Sequence, residues 1–346
     1  MQADFIIIGQ GISGTFLSWY LEGMGATCVV IDENKPNTAS KVAAGLINPV
    51  TGRRLVRSWM IEELMPFARQ AYNEIGVSLQ IDCIKEMRLL QFFQAPDMQD
   101  AFNKKLPEEP EYLSPPNNDN WREHFNYPFG WGIISPCYIA DAAGLINAYA
   151  KKGPLINEKF DSAQLEIASD QVRYKDIISK KIIFCDGESG LNNPWFNKLP
   201  YSLNKGEALI VKIPGLPCEH IYKFGHTLIP LGEDIFWFGS SNEWKYADDQ
   251  PSEKFRRHAE AELKHFLKIP YTVLDHLAAL RPANVERRPF VGLHPTLPQL
   301  GILNGLGTKG CSLAPYFAHQ LANHLIHQKP LLPTVDLQRF SNVLSA

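Results

Sequence analysis

Near its beginning the chain reads DFIIIGQGISGTFLSWYLEG, residues 4–23, with four apolar residues running straight into glycines spaced G-x-G-x-x-G. Residues 5–8 are short, unbroken and mostly β-branched, as in a strand buried on both faces of a parallel sheet. Residues 15–22 read as a helix, and a second apolar run, residues 28–31, ends on Asp32. Strand, glycine turn, helix, strand and acid are together the context in which this motif binds a dinucleotide. Gly9 permits the sharp turn, Gly11 lets the backbone touch a pyrophosphate, and Gly14 lets the helix lie close to the sheet. The helix N-terminus, with Ile12 and Ser13 in its first turn, offers free N–H groups to phosphate. Asp32 is placed to accept hydrogen bonds from ribose hydroxyls.

A chain of 346 residues has room for two domains. Its formal net charge of −3, with 45% hydrophobic and 21% charged residues, points away from nucleic acid or membrane as the main partner. No apolar stretch has the length of a membrane span, and the first strand starts too early for a signal segment, so the expected location is the cytoplasm. The six cysteines are scattered without metal spacing, and the ten histidines form no ligand motif. Cys28 and Cys185 lie in apolar runs as buried small hydrophobes, and no metal site is expected.

Two later segments repeat the opening logic. Residues 182–185 form an apolar strand entering Gly187, and LGILNGLGTKGCSLAP, residues 300–315, reads strand, glycine loop, helix. Three glycine turns far apart in sequence imply one nucleotide-binding domain built from three segments. The expected fold is therefore α/β: a Rossmann-like domain from residues 1–80, 135–205 and 276–346, with an inserted mixed-β-sheet domain from 81–134 and 206–275. Helices are expected at 61–72, at 138–153 with a cap on Asp141, and at 252–267. Strands are expected at 86–93, 164–167, 171–174, 205–213 and in HTLIPLG and IFWFGSSNEW. The Pro- and Asn-rich residues 107–120 read as an exposed, mobile loop.

The blocks IIIGQGISG with Asp32, ASKVAAGLINP, IIFCDG, KGEALIV, HTLIPLGEDIFWFGSS, ALRPANVERRPFVGLHP and NGLGTKGCSLAP resemble, in order, the D-amino-acid oxidase and glycine oxidase superfamily of FAD-dependent oxidoreductases. The resemblance implies a noncovalent FAD. Ser40, Ala43, Ala44 and Gly45 would lie over its pyrophosphate and dimethylbenzene side, with Gly187 near the adenosine and Phe160 counted with the cofactor residues. Gly305, Gly307, Thr308, Lys309 and Gly310 would run beside the flavin N1–C2=O edge, where a cation stabilises reduced flavin; otherwise Lys309 is a solvated helix-start lysine. Arg281 matches the arginine that holds the substrate carboxylate as a planar fork, unless it is salt-bridged to an acid such as Glu286. Arg53 and Arg54 are either a holder for a second substrate carboxylate or phosphate, or a solvated pair. Thr227 falls where glycine oxidases carry a substrate-contacting tyrosine, and Tyr222 and His226 are further pocket candidates. Cys311 does not match a flavin-tethering cysteine and reads as a small residue entering a helix.

The implied reaction is oxidation of the C–N bond of an amino acid or a secondary amine carrying a carboxylate, by hydride transfer to flavin N5. Oxygen or an electron carrier then reoxidises the flavin. The C-terminal block also resembles the oxidoreductase domain that removes a carboxymethyl group from modified tRNA uridines. A third reading is a non-catalytic flavin-binding module.

Overall fold

The computed structural model describes residues 1–117 and 120–345. Strand Gln2–Ile8 lies at the centre of a mixed sheet, paired in parallel with Cys28–Asp32 on one side and Ile177–Phe184 on the other. Leu155–Asn157 extends the first side and Leu300–Asn304 the second, also in parallel. Antiparallel additions complete it: the pair Leu165–Ile167 and Val172–Tyr174, and Phe290–Leu293 along Leu300–Asn304.

Burial on both faces explains the unbroken apolar run. Phe5 and Ile7 pack into a core shared with the helices Ile12–Gly23, Ile61–Leu79 and Gly310–His327. Ile6 and Ile8 face the other way, onto Phe196, Leu337 and Phe340. Crossover helices on a parallel sheet require exactly this two-sided apolar strand, and one polar substitution among residues 5–8 would put an unpaired group in a core.

The second sheet has the order Thr272–Arg281, Asn204–Lys212, Ile235–Gly239, Thr227–Gly232, His220–Lys223, Ile84–Phe92, Trp131–Ala140, Leu46–Ile47, with Leu113–Ser114 also on Trp131–Ala140. All neighbours along it are antiparallel except His220–Lys223 with Ile84–Phe92. Its outer face packs Leu209, Phe236 and Phe238 under the amphipathic helix Glu253–Phe266. Ser252 caps that helix, accepting from Phe255 N at 3.2 Å. The inner face looks toward the first sheet. An α/β fold with a Rossmann-like domain and a second sheet domain is what the spaced glycine turns implied.

Local readings needed adjustment where pairing overrode propensity. Residues 138–140 are the end of strand Trp131–Ala140, paired with both Ile84–Phe92 and Leu46–Ile47, so the helix expected at 138–153 is Ala142–Tyr149. Its cap is Asp141, which accepts from Gly144 N at 2.8 Å. The expected exposed loop at 107–120 buries Tyr112 and Leu113 and pairs Leu113–Ser114 with a neighbouring strand; its positions 118 and 119 lie outside the described residues. The divisions set at 135 and 276 fall inside strands Trp131–Ala140 and Thr272–Arg281, both of which belong to the second sheet. Among the described residues, no helix is long and apolar enough to cross a membrane.

Candidate active site

A cavity of about 1030 Å³ runs between the two sheets. It exceeds the roughly 300–1,000 Å³ of pockets for drug-sized ligands. At one end lie the carboxyl ends of the parallel strands. Gly9, Gly11, Ile12, Ser13, Asp32 and Gly187 line it there, joined by Phe160 and by the loop carrying Ser40, Ala43, Ala44 and Gly45.

This end is made mostly of backbone. Gly9 has φ +95°, and a Cβ there would strike the Cys185 carbonyl of the neighbouring strand turn. Gly14 does not line the cavity; a Cβ on it would run into the Gly9 carbonyl, so the helix meets the turn at a distance only glycine allows. Ile12 N donates to Ser40 Oγ at 3.1 Å, which ties the helix N-terminus to the following loop. Asp32 accepts from Gln10 N at 2.7 Å and from Asn34 N at 2.6 Å, which orients its carboxylate at the strand end. Asp186, half-buried beside Gly187, accepts from Asn193 and Asn304, yet desolvation still pushes its carboxyl up to about 6.

The other end is roofed by Gly307, Thr308, Lys309 and Gly310 and floored by the second sheet. Gly305 sits behind that loop, its φ +77° position packed against Asn284 and Phe290. Lys309 Nζ donates to Ser58 Oγ at 2.6 Å and has no carboxylate partner among the described residues. Burial, with a smaller contribution from the charge of Lys223, pushes its ammonium down to about 8. Trp237 donates from Nε1 to the Val42 carbonyl at 3.0 Å, tying the second sheet to the loop above the cavity.

Arg281 ends its strand with the guanidinium laid over Gly206, where a Cβ would overlap it. Its Nη1 donates to Asn204 Oδ1 at 2.7 Å, Ser241 O at 3.0 Å and Asn242 Oδ1 at 3.1 Å. Among the described residues, Nε and Nη2 have no protein partner. Burial lowers its pKa to about 10. The salt bridge considered with Glu286 is absent: Glu286 pairs instead with Arg339, at 3.0 Å.

Thr227 is buried in the cavity wall, and His226 also lines it, with Nδ1 held by Glu262 at 2.7 Å. Tyr222 faces away: it packs with Trp121 and Phe125 in the outer core and donates to the Pro217 carbonyl. Alternation along the strand explains this, since Lys223, its neighbour, takes the cavity side. Arg53 and Arg54 do not line the cavity; both are exposed in the turn between Val50–Thr51 and Val56–Arg57. Sequence reasoning missed Asn204, Gly206, Asn242, Ser58 and Lys223. Of these, Asn204 is the strand-pairing partner of Arg281 and Gly206 lies two residues along the same strand, a relation set by pairing and not visible in the sequence.

All six cysteines are free. Cys311, the second residue of helix Gly310–His327, is buried and its thiol is pushed up to about 11 by burial. Among the described residues, no group of three His, Cys, Asp or Glu is placed to hold a metal ion.

A strand-end glycine cradle facing a second sheet defines a dinucleotide-binding fold whose cavity is closed by a sheet carrying an anchored arginine. Residues 4–324 match the family model for FAD-dependent oxidoreductases of the DAO type, and the chain belongs to that family. The fold is similar to glycine oxidase from Bacillus cereus ATCC 14579, with TM-score 0.79 and 17% identity over 95% of this chain and 96% of that one. It is also similar to iminodiacetate oxidase from Chelativorans sp. BNC1, with TM-score 0.76 and 19% identity over 97% and 98%. A third similar structure is L-proline dehydrogenase from P. horikoshii, with TM-score 0.78 and 15% identity over 99% and 98%. The enzyme is an FAD-dependent oxidoreductase.

Proposed function

We propose that the enzyme oxidises the C–N bond of an amino acid or secondary amine bearing a carboxylate. The observation that carries this reading is Arg281: one nitrogen takes three protein acceptors, and the rest of the fork is left to the cavity. A planar fork fixed in this way binds a carboxylate and sets its orientation. The named activities of glycine oxidase and iminodiacetate oxidase, both similar in fold, agree with an amine that carries a carboxylate.

Noncovalent FAD fits the cavity: Gly9, Gly11, Ile12, Ser13 and Ser40 would hold the pyrophosphate, and Asp32 the ribose. Ala43, Ala44, Gly45, Phe160 and Gly187 would lie along the rest of the cofactor, with Gly305, Gly307, Thr308 and Gly310 shaping the loop at its ring end. When bound, FAD supplies the electron sink that takes hydride from the substrate's α-carbon. Arg281 holds the carboxylate so that this carbon is presented in one orientation, which is the main service positioning can give. Lys309, its charge held in a water-poor setting by Ser58, stabilises negative charge developing near it. Thr227 lines the substrate space. No protein base is needed to remove the α-proton. Oxygen or an electron carrier is the acceptor, and the cytoplasm, where thiols stay reduced, suits six free cysteines.

The test is an anaerobic visible spectrum of the FAD-loaded enzyme before and after addition of D- and L-amino acids and secondary amines. Bleaching by a carboxylated amine is the expected result. A flavin that no such amine bleaches, while an uncharged amine does, would defeat the reading.

A further inference from the structure

The ring end of the cavity holds more positive charge than the proposed reaction uses. Arg281, Lys309 and Lys223 all line it, and among the described residues none of the three is ion-paired. The acids near them are committed elsewhere. Glu262 holds His226 at 2.7 Å, and Glu207, fully buried, accepts from Ser252 and lies 3.6 Å from Lys205 Nζ. The proposed function, on which this inference rests, assigns Arg281 to a substrate carboxylate and Lys309 to charge developing at the cofactor. Lys223 is left over, and a half-buried cation without a partner is costly.

The register places Lys223 opposite Arg281 across an open floor. Lys223 pairs with Thr227, Thr227 with Gly239, and Gly239 with Ala208, one row across four strands. Cross-strand partners point to the same face, and so does Gly206, two residues from Ala208. Arg281 lies over Gly206. The floor between the two cations is therefore Gly206, Ala208, Gly239 and Thr227, none with a side chain larger than threonine. Three strand spacings and a two-residue rise put the backbone of Lys223 about 16 Å from that of Gly206, over which the Arg281 guanidinium lies, a span that the long lysine side chain shortens from its end.

We propose that Lys223 is a specificity-determining residue that binds a second carboxylate of the substrate, at the far side of this floor from Arg281. The substrate class is then a dicarboxylic amine or amino acid whose acid groups lie several bonds apart. A carboxylate rather than a phosphate follows from the donor count: Lys223 offers one ammonium with no arginine fork beside it, and Lys309, which feels its charge, is held by Ser58. Burial lowers the pKa of Lys223, and an anion bound beside it would offset that penalty.

The experiment is a binding titration of FAD-loaded enzyme with inert dicarboxylates, succinate to adipate, against monocarboxylates of equal length, read by calorimetry and Trp237 fluorescence. In the unaltered enzyme at least one dicarboxylate should bind about tenfold or more tightly than its monocarboxylate counterpart. Lys223→Met should remove that preference and leave monocarboxylate affinity unchanged, whereas Lys223→Arg should keep it. Equal affinities in the unaltered enzyme overturn the proposal and need no variant; so does a preference that survives in Lys223→Met. Dicarboxylate preference without any amine-driven bleaching of the flavin would uphold the Lys223 subsite while defeating the amine-oxidation reading.

Discussion

The two ends of the cavity are built from different materials. At the strand-end cradle the contacts come from backbone, and the residues that matter are those with nothing to obstruct it: Gly9, Gly11 and Gly14. At the other end the charge comes from three long cationic side chains, Arg281 and Lys223 on the second sheet and Lys309 on the loop above it, around a floor of small residues. A backbone cradle suits a cofactor common to a whole family, because it depends on chain path and not on side-chain identity. Side chains on a sheet face can be exchanged without altering the path, so that end is where a substrate is selected.

The cradle should be the easier end to break. Gly14→Val would force a side chain into the Gly9 carbonyl, and overpacking against backbone costs about 3 kcal/mol or more. Loss of FAD uptake together with a lowered melting temperature is expected, and full FAD binding would show that close packing is not what this glycine provides. Arg281→Leu should lower kcat/KM for carboxylated amines by about 100-fold or more while FAD uptake stays intact. A steady-state comparison with an uncharged amine separates this from a general defect, since the uncharged amine should lose nothing.

Lys309 connects the two ends and should be visible in the pH dependence of stability. Its folded-state pKa, about 8, lies below the ordinary 10.5 of lysine, so between those values the unfolded chain binds more protons. FAD-free protein should therefore become more stable as pH rises from about 8 toward about 10.5, because folded Lys309 has shed its charge there while the unfolded chain still carries it. Thermal melts across that window should show a shallower rise in Lys309→Met, with Lys223, also lowered by burial, supplying the remainder. An unchanged slope would mean that Lys309 keeps its charge in the folded protein. The smallest effect belongs to Arg53→Ala combined with Arg54→Ala. Both are exposed away from the cavity, and a change of less than about twofold in kcat/KM is expected; a larger loss would return them to the substrate site.

The strand-turn-helix at residues 5–23, the acid at Asp32 and the later glycine turns were legible because each is a local demand. A tight turn needs positive φ, a helix entry needs free N–H groups, and a doubly buried strand needs an unbroken apolar run. That is why the division into a cradle and an inserted sheet could be read from the chain alone. Residues 138–140 show the limit: their composition permits a helix, and only pairing with Ile84–Phe92 makes them strand.

The substrate end lay further beyond reach. Which neighbour of a strand faces the cavity depends on register, and a one-residue difference exchanges Tyr222 for Lys223. The opposition of Lys223 to Arg281 joins residues on strands far apart in the sheet, through pairings that no local pattern encodes. So the sequence by itself determined the chain path that makes the cofactor cradle, where each rule acts within a few residues. Tertiary structure alone decided which charges meet across the cavity, because long-range strand register, not local propensity, sets which side chains share a face.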